Sequence, residues 1–201
     1  MIIEQKYLAM GYVPVAGVDE AGRGPLAGPV VAAAVVLPGS IGKNSPLWKV
    51  RDSKTLTVKQ REQLYWIVVQ EAKDLSWAMC DPDEIDQMNI LAASLEAMRK
   101  AVMALDPRPR VCLVDGNQAI PCRIPSVPVI KGDRRCLSIA AASILAKVVR
   151  DQIMEELHKK YPGYGFAFHK GYATAEHKQA IIEQGPSPVH RRTFRGVKEC
   201  I

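Results

Sequence analysis

Two short apolar runs, residues 13–18 and 30–37, limit what this chain can fold into more than any other part of the sequence. They are rich in valine and alanine and are bounded by glycine and proline. Runs of this length and composition are typical of strands buried on both faces, which lie inside a sheet covered by helices. The sequence therefore predicts a buried sheet whose first two strands flank a polar, glycine-rich segment, residues 19–29.

The remaining elements follow from hydrophobic periodicity and capping residues. Thr57 and Gln60 predict a capping box that opens a helix to about residue 73. Further helices are predicted at about 89–105, 137–159 and 175–183, and further strands at 75–80, 110–114 and 127–130. Residues 139–146 are apolar on almost every side, which indicates a central buried helix. The pattern predicts an α/β fold with a central mixed sheet flanked by helices, followed by a helical and irregular C-terminal segment from about residue 161.

Length and composition indicate one globular domain. A chain of 201 residues, with 48% apolar and 24% charged residues, can bury a core of ordinary size, so we predict a single domain over residues 1–201. The five cysteines include no Cys-x-x-Cys pair, which argues against disulfides or structural zinc and predicts a cytoplasmic protein. The longest apolar run is too short to cross a membrane. Nothing indicates an obligate protein partner, so a monomer is expected.

The net charge of +6 is compatible with a polyanionic partner, and equally with solubility alone. Basic side chains that could contact phosphates are Lys54, Lys131, Arg134, Arg135, Lys147, Lys170, Arg191, Arg192 and Arg195. Aromatic side chains interleave with the basic C-terminal stretch, as they do in proteins that stack bases or sugars on rings, although core packing is the commoner role. They are Tyr164, Phe166, Phe168, Tyr172 and Phe194.

Four acidic residues come at the ends of predicted strands or shortly after them. Asp19 and Glu20 follow the first apolar run, Asp115 follows the strand at 110–114, and Asp133 follows the strand at 127–130. Adjacent carboxylates in such a place repel each other and lose hydration unless a cation or a proton compensates. An isolated Asp-Glu pair more often caps a turn, but the recurrence of acids at several strand ends favours convergence on one sheet edge. The sequence predicts a Mg²⁺ or Mn²⁺ site there.

Other chemistries find less support. The segment GRGPLAG, residues 22–28, lacks the spacing of a dinucleotide-binding loop and is followed by a strand. Its glycines could bring backbone amides close to a sugar or a phosphate, or could simply form a tight turn. The four histidines lack the spacing of a zinc site, and no Gly-x-Ser-x-Gly motif occurs, so zinc and serine hydrolases are disfavoured.

Several motifs resemble those of bacterial ribonuclease HII, in order along nearly the whole chain. The most specific is GVDEAGRGPLAGPVVAAAV, residues 17–35. Further matches are DSK (52–54), VDG (114–116), KGD (131–133), AAASILAK (140–147), RD (150–151), HKGY (169–172) and HRRTF (190–194). The chain departs from the family at Arg134 and Arg135, where smaller or more varied residues are usual, which leaves the local contacts with a duplex open.

The resemblance implies a fold, an activity and a substrate. The fold would be that of ribonuclease H, and the activity would be endonucleolytic cleavage of the RNA strand of RNA–DNA hybrids. Duplex DNA that contains a single ribonucleotide would be cut on the 5′ side of that nucleotide. A two-metal-ion mechanism with Mn²⁺ or Mg²⁺ would leave a 3′-hydroxyl and a 5′-phosphate.

The resemblance also implies roles for matching residues. Asp19, Glu20 and Asp115 would be metal ligands and catalytic residues, with Asp133 as the fourth carboxylate and Asp151 as the alternative. The backbone of Gly22, Arg23 and Gly24 would contact the ribose 2′-hydroxyl, and Tyr172 would stack on the next sugar. Two rival hypotheses are another nuclease of the same superfamily, which need not test for a 2′-hydroxyl, and a nucleic-acid-binding module without catalysis.

Overall fold

A computed structural model describes residues 2–55 and 57–201, with side chains except those of residues 2 and 51–55. The side chains of the DSK motif, including Lys54, therefore lie outside the described residues. The five strands are β1 (Val15–Ala21), β2 (Val30–Val36), β3 (Asp74–Cys80), β4 (Val111–Asp115) and β5 (Ser126–Val129). They form one sheet in the order β3-β2-β1-β4-β5, in which β1 is antiparallel to β2 and parallel to β4. The predicted mixed sheet is confirmed.

Eight α-helices surround this sheet among the described residues. They are α1 (Ile2–Ala9), α2 (Val58–Glu71), α3 (Pro82–Met88), α4 (Ile90–Ala104), α5 (Gly132–Arg135), α6 (Leu137–Lys160), α7 (Phe166–His169) and α8 (Ala175–Gln184). Short 3₁₀ helices occur at Pro46–Thr55, Pro162–Tyr164 and Lys198–Cys200. None of the described helices is both long and apolar enough to span a bilayer.

The predicted helices are confirmed to within a few residues, and four short ones were missed. The capping box of Thr57 and Gln60 begins α2 as expected. A second capping box, formed by Asp81 and Glu84 around Pro82, begins the missed helix α3. That motif was visible in the sequence, whereas α5 and α7 have only four residues each, too few for a periodic pattern.

The sheet is buried between two helices. Alternate residues of β2, Ala32 and Ala34, face the core that α4 closes through Ala93, Ala97 and Ala101. Val31 and Val35 face the opposite core, which α6 closes. Residues 139–146 of α6 are all buried except for the partly buried Ser143, so the predicted central helix is confirmed.

Gly17 allows α6 to lie directly against β1. A Cβ atom at this position would lie 2.2 Å from the carbonyl carbon of Ser138 and 2.3 Å from the backbone nitrogen of Ile139. Those are backbone atoms, which cannot move aside as a flexible side chain can. The absence of a side chain at Gly17 therefore brings the first turns of α6 against the strand that carries Asp19 and Glu20.

The C-terminal segment packs on the end of α6 and lines the glycine-rich loop. Tyr164, Phe166 and Ile181 form a small core with Met154 of α6. Tyr164 and Phe166 are buried, so for these two rings the structure shows core packing, the commoner of the two roles considered. Backbone hydrogen bonds from residues 26 and 28 to residues 171 and 189 place this segment beside the loop that follows β1.

Candidate active site

The sheet brings Asp19 and Asp115 side by side. Strands β1 and β4 are parallel neighbours, and their register pairs Val18 with Val114. The next residue on each strand is an aspartate, so both acids lie at the same edge of the sheet. The sequence left open whether these strands are neighbours, and the topology shows that they are. Asp19 and Glu20 are among the last three residues of β1 and do not follow it, because β1 continues to Ala21.

The carboxylates repel one another in a desolvated site. Asp19 is only 6% exposed. Burial raises the pKa of Asp19 well above its usual value, and the charges of Glu20 and Asp115 raise this pKa further, against an opposing hydrogen bond from Ser143. Burial also raises the pKa of Glu20, although Arg23 opposes the shift. The fold therefore concentrates negative charge where water cannot stabilise it, and a cation would relieve the repulsion.

Asp133 is placed at this end of the sheet by its neighbour in the KGD motif, residues 131–133. The backbone N–H of Gly132 donates a hydrogen bond of 2.6 Å to Asp115 Oδ1. Asp133 is the next residue, in the first turn of α5, and is buried at 5% exposure. A buried aspartate one residue from a contact with Asp115 fits the predicted place of the fourth carboxylate.

Asp151 has a different environment. Its Oδ1 accepts a hydrogen bond of 2.6 Å from Lys147 Nζ, and its Oδ2 lies 3.8 Å from Arg61 Nη1. Asp151 thus holds two basic side chains in place, and Asp133 is the better candidate for the fourth carboxylate.

The donor set fits a hard divalent cation. The four candidate residues offer only carboxylate oxygens, the ligands that Mg²⁺ and Mn²⁺ prefer. Among the side chains that the structure describes, no three acidic, histidine or cysteine groups already stand in ligand geometry. Glu20 Oε1 lies 3.3 Å from Arg23 Nη1, so Arg23 offsets part of the negative charge beside Asp19.

The glycine loop, defined as residues 22–28, is built around two buried arginines. Arg191 donates hydrogen bonds to the carbonyl oxygens of Gly22, Arg23 and Gly28. Arg150 donates to the carbonyl oxygens of Ala27, Pro29 and Lys170. The prediction that Arg191 is a surface cation for phosphate was wrong, because its side chain is fully buried and its donors bind the loop.

Gly22 fits this arrangement because it has no side chain. Its φ of +97° is a conformation that favours glycine, and a Cβ atom there would lie 2.0 Å from Arg150 Nε. Tyr172 lies on the other side of the loop. Its ring carbon Cε1 is 3.7 Å from the Cβ position that a side chain at Gly24 would occupy, and the residue is 47% exposed. The structure therefore brings Gly22, Gly24 and Tyr172 together beside Glu20.

A cleft of about 380 Å³ joins these groups. It is lined by Glu20, Gly22, Arg61, Ser143, Lys147, Arg150 and Tyr172. Its acidic side meets the carboxylate cluster, and its basic side carries Arg61 and Lys147. Arg61 was missed by the sequence interpretation because it lies on α2, more than 30 residues from any acid of the cluster, and no local pattern marks it. A second cavity, of about 230 Å³ beside Glu4 and Trp48, contains none of the predicted site residues.

Comparisons with known proteins agree with this geometry. The family model described as Ribonuclease HII matches residues 16–197. Ribonuclease HII of Geotalea daltonii is 52% identical over 191 residues, which cover 95% of this chain and 87% of that relative. The crystal structure of ribonuclease H2 from Pyrococcus horikoshii OT3 superposes with a TM-score of 0.78 at 31% identity, covering 94% of this chain and 97% of that one.

A more distant structure supports the fold alone. Bst-RNase HIII in complex with Mn²⁺ superposes with a TM-score of 0.73 at 20% identity, covering 94% of this chain and 69% of that one. Together with the mixed sheet and its covering helices, these likenesses confirm the predicted ribonuclease H-like fold.

Proposed function

The chain belongs to the ribonuclease HII family, whose members degrade the RNA strand of RNA–DNA hybrids, and we propose that it also cuts duplex DNA on the 5′ side of a single embedded ribonucleotide. The observation that carries this proposal is a single cleft in which Glu20, a member of the carboxylate cluster, lies beside Gly22 and the exposed Tyr172. Residues 1–201 would act as one catalytic domain and as a monomer, with Tyr172 contributed by the segment from about residue 161.

Asp19, Glu20, Asp115 and Asp133 are the residues that would hold the metal. When bound, Mn²⁺ or Mg²⁺ would stabilise the charge that develops as water displaces the 3′ oxygen in line, which leaves a 3′-hydroxyl and a 5′-phosphate. Ser143 donates a hydrogen bond to Asp19 and so orients this carboxylate. The backbone N–H of Gly132 does the same for Asp115. Both carboxylates are therefore oriented by groups of α6 and of the KGD motif.

The glycine loop would distinguish RNA from DNA. A single embedded ribonucleotide differs from a deoxyribonucleotide chiefly in its 2′-hydroxyl group, so discrimination between the two requires hydrogen-bonding groups close to that hydroxyl. Residues 22–24 can bring backbone groups to the sugar because Gly22 and Gly24 have no side chain and because Arg191 fixes the two carbonyl groups of Gly22 and Arg23. Tyr172, beside Gly24, would stack on the next sugar.

The decisive experiment compares three duplexes of one sequence: an RNA–DNA hybrid, a DNA duplex with one ribonucleotide, and a DNA duplex. Incubation with Mn²⁺ or with Mg²⁺ should cut the first two and leave the third intact, and EDTA should stop both reactions. Cleavage of the all-DNA duplex at a similar rate would indicate another nuclease of the superfamily. Binding without cleavage under every condition would indicate a nucleic-acid-binding module.

Lys147 should contribute to electrostatic binding of the duplex. Its side chain lines the cleft, and each phosphate that a protein neutralises steepens the decline of log affinity with log salt by about 0.9. Lys147→Ala should therefore lower this slope by about one, measured by fluorescence anisotropy with a labelled hybrid in EDTA.

Lys159→Ala is the matched control for Lys147→Ala. Lys159 also lies on α6 and also forms an ion pair of 2.6 Å with a carboxylate, but it is outside the cleft. Its removal should leave the slope unchanged. If the salt dependence of affinity had the same slope in both variants, Lys147 would not be part of the binding surface, and its role would be limited to the ion pair with Asp151.

A further inference from the structure

Three histidines form a buried cluster behind Tyr172 that the proposed chemistry does not use. His169 and His177 stack with ring centroids 4.3 Å apart, and His190 Nε2 lies 3.0 Å from His177 Nε2. His177 and His190 are almost inaccessible to solvent. Three titratable rings in one small core call for a physical explanation, because each loses hydration there.

Ser187, His190, His177 and Tyr172 form a row of hydrogen bonds, and the two end members of this row fix the position of the proton on each histidine ring. The backbone N–H of Ser187 donates to His190 Nδ1 over 2.9 Å, so this nitrogen carries no proton. His190 must then carry its proton on Nε2 and donate it to His177 Nε2. His177 must carry its own proton on Nδ1, from which it donates to the carbonyl oxygen of Tyr172 over 2.8 Å.

The Ser187 amide at one end and the Tyr172 carbonyl at the other each require this same placement of protons, independently of one another. An amide N–H can only donate and a carbonyl oxygen can only accept, and a single pattern of protons satisfies both. A second proton on His177 would place two N–H groups head to head at its contact with His190, and a second proton on His190 would do the same at its contact with the backbone N–H of Ser187. Burial is the main reason that the pKa of each of these histidines falls to about 4, so both rings are neutral near pH 7.

This chain of hydrogen bonds links the two sides of the sugar-binding cleft. At one end it holds the backbone of Tyr172, whose ring lies beside Gly24. At the other end, the backbone of His190 forms a β-bridge with Ala27 of the glycine loop. One connection from the loop to Tyr172 therefore runs through two rigid rings, in addition to the backbone hydrogen bond from Leu26 to Gly171.

We propose that Ser187, His190 and His177 form a positioning relay, in which Ser187 and His190 fix the proton of His177 on Nδ1 and this N–H holds the Tyr172 carbonyl. The bond to Tyr172 sets the distance between the Tyr172 ring and the glycine loop, and thereby favours a single embedded ribonucleotide over a continuous hybrid. This inference rests on the proposed function of the cleft. The relay touches no reacting atom, and it acts through Tyr172. A cleft of fixed width would accept a deoxyribose after the ribonucleotide more readily than a ribose, which carries an additional hydroxyl group.

Two substitutions of His177 separate the relay from general stability. His177→Asn places an amide nitrogen where Nδ1 stands, so it can still donate to the Tyr172 carbonyl while the bond to His190 is lost. His177→Gln places its amide where Nε2 stands, so it can still accept from His190 while the bond to Tyr172 is lost. Both replace one buried polar ring by one buried amide.

The main measurement is the ratio of kcat/KM on the single-ribonucleotide duplex to kcat/KM on the hybrid. His177→Gln should lower this ratio about tenfold, mostly through kcat, while His177→Asn should keep it within about twofold of the wild type. An equal fall for both variants, or none for either, would overturn the relay. Failure of the wild type to cut either duplex would instead refute the proposed function.

NMR provides a test that needs no activity. Nitrogen-15 spectra of the wild-type histidines should show His177 protonated on Nδ1 and His190 on Nε2. Ring signals of ¹³C-labelled Tyr172 should shift in His177→Gln and stay in place in His177→Asn. Observation of the opposite tautomers, or of Tyr172 signals that are unchanged in both variants, would overturn the proposal. This test holds even if one variant is too unstable for kinetics.

Discussion

Replacing Asp19 with asparagine should lower the rate of cleavage on the order of 10³-fold while the protein stays folded and binds duplex with similar affinity. The loss is large because Asp19 lies between Glu20 and Asp115, where its negative charge would contribute most to holding the ion. Affinity should persist because basic side chains supply most of the attraction to phosphate. The measurements are single-turnover cleavage of the hybrid and anisotropy binding in EDTA.

The same substitution should leave the free energy of unfolding unchanged or raise it. Burial and two neighbouring carboxylates raise the pKa of Asp19, so its charged form destabilises the folded state near pH 7. Asparagine keeps the shape and removes the charge. A variant that lost activity because it unfolded would contradict this explanation, and denaturant titration distinguishes the two cases.

Asp151→Asn is the matched control, since it makes the same chemical change at the other acid considered for the fourth ligand. Asp151 pairs with Lys147 and Arg61, so its loss should weaken substrate positioning by less than about tenfold. Asp133→Asn should instead behave like Asp19→Asn. If Asp151→Asn were as inactive as Asp19→Asn and Asp133→Asn were active, the assignment of the fourth carboxylate would be wrong.

Replacing Tyr172 with alanine should reduce kcat/KM on the single-ribonucleotide duplex by about 5- to 150-fold, which is the range that an aromatic stacking contact of about 1–3 kcal/mol implies. Activity on the long hybrid should fall less, because there the next sugar is a ribose and stacks less favourably. The ring is half exposed and lies beside Gly24, so its removal opens the sugar-binding side of the cleft without creating a cavity in the core. Tyr172→Phe should keep most of the activity.

Phe168→Ala provides the control for an exposed aromatic side chain. Phe168 is 84% exposed on α7, close in sequence to Tyr172, but it does not line the cleft. Its removal should leave both activities unchanged. Equal losses on the two substrates for Tyr172→Ala would assign Tyr172 to general positioning, and no loss on either would leave it a structural residue of the loop.

Much of the fold could be predicted because its main elements are strongly patterned. The apolar strands β1 and β2, the helix α4 and the buried helix α6 each carry a hydrophobic pattern that local sequence alone reveals. The short helices α5 and α7 could not be predicted in this way, because they are set by contacts with the sheet and with α6. The site acids were also found locally, since each comes at or near the end of a strand.

The buried arginines show where local patterns mislead. Arg191 stands beside Arg192 in a basic stretch, and the sequence interpretation offered both as possible contacts with phosphate. The structure buries Arg191 under the glycine loop and leaves Arg192 exposed. Nothing within a few residues distinguishes them, because the carbonyl groups that bind Arg191 come from residues 22, 23 and 28, more than 160 positions away.

Residue types and short-range periodicity were sufficient for the family resemblance, the α/β class and the choice of candidate carboxylates. The three-dimensional structure was needed to show that Asp19 and Asp115 are neighbours, that Asp151 pairs with cations, and that a hydrogen-bonded pair of histidines contacts the Tyr172 carbonyl. The physical reason is that strand order, ion pairs and hydrogen-bond partners are properties of chain segments that meet only when the whole core has formed.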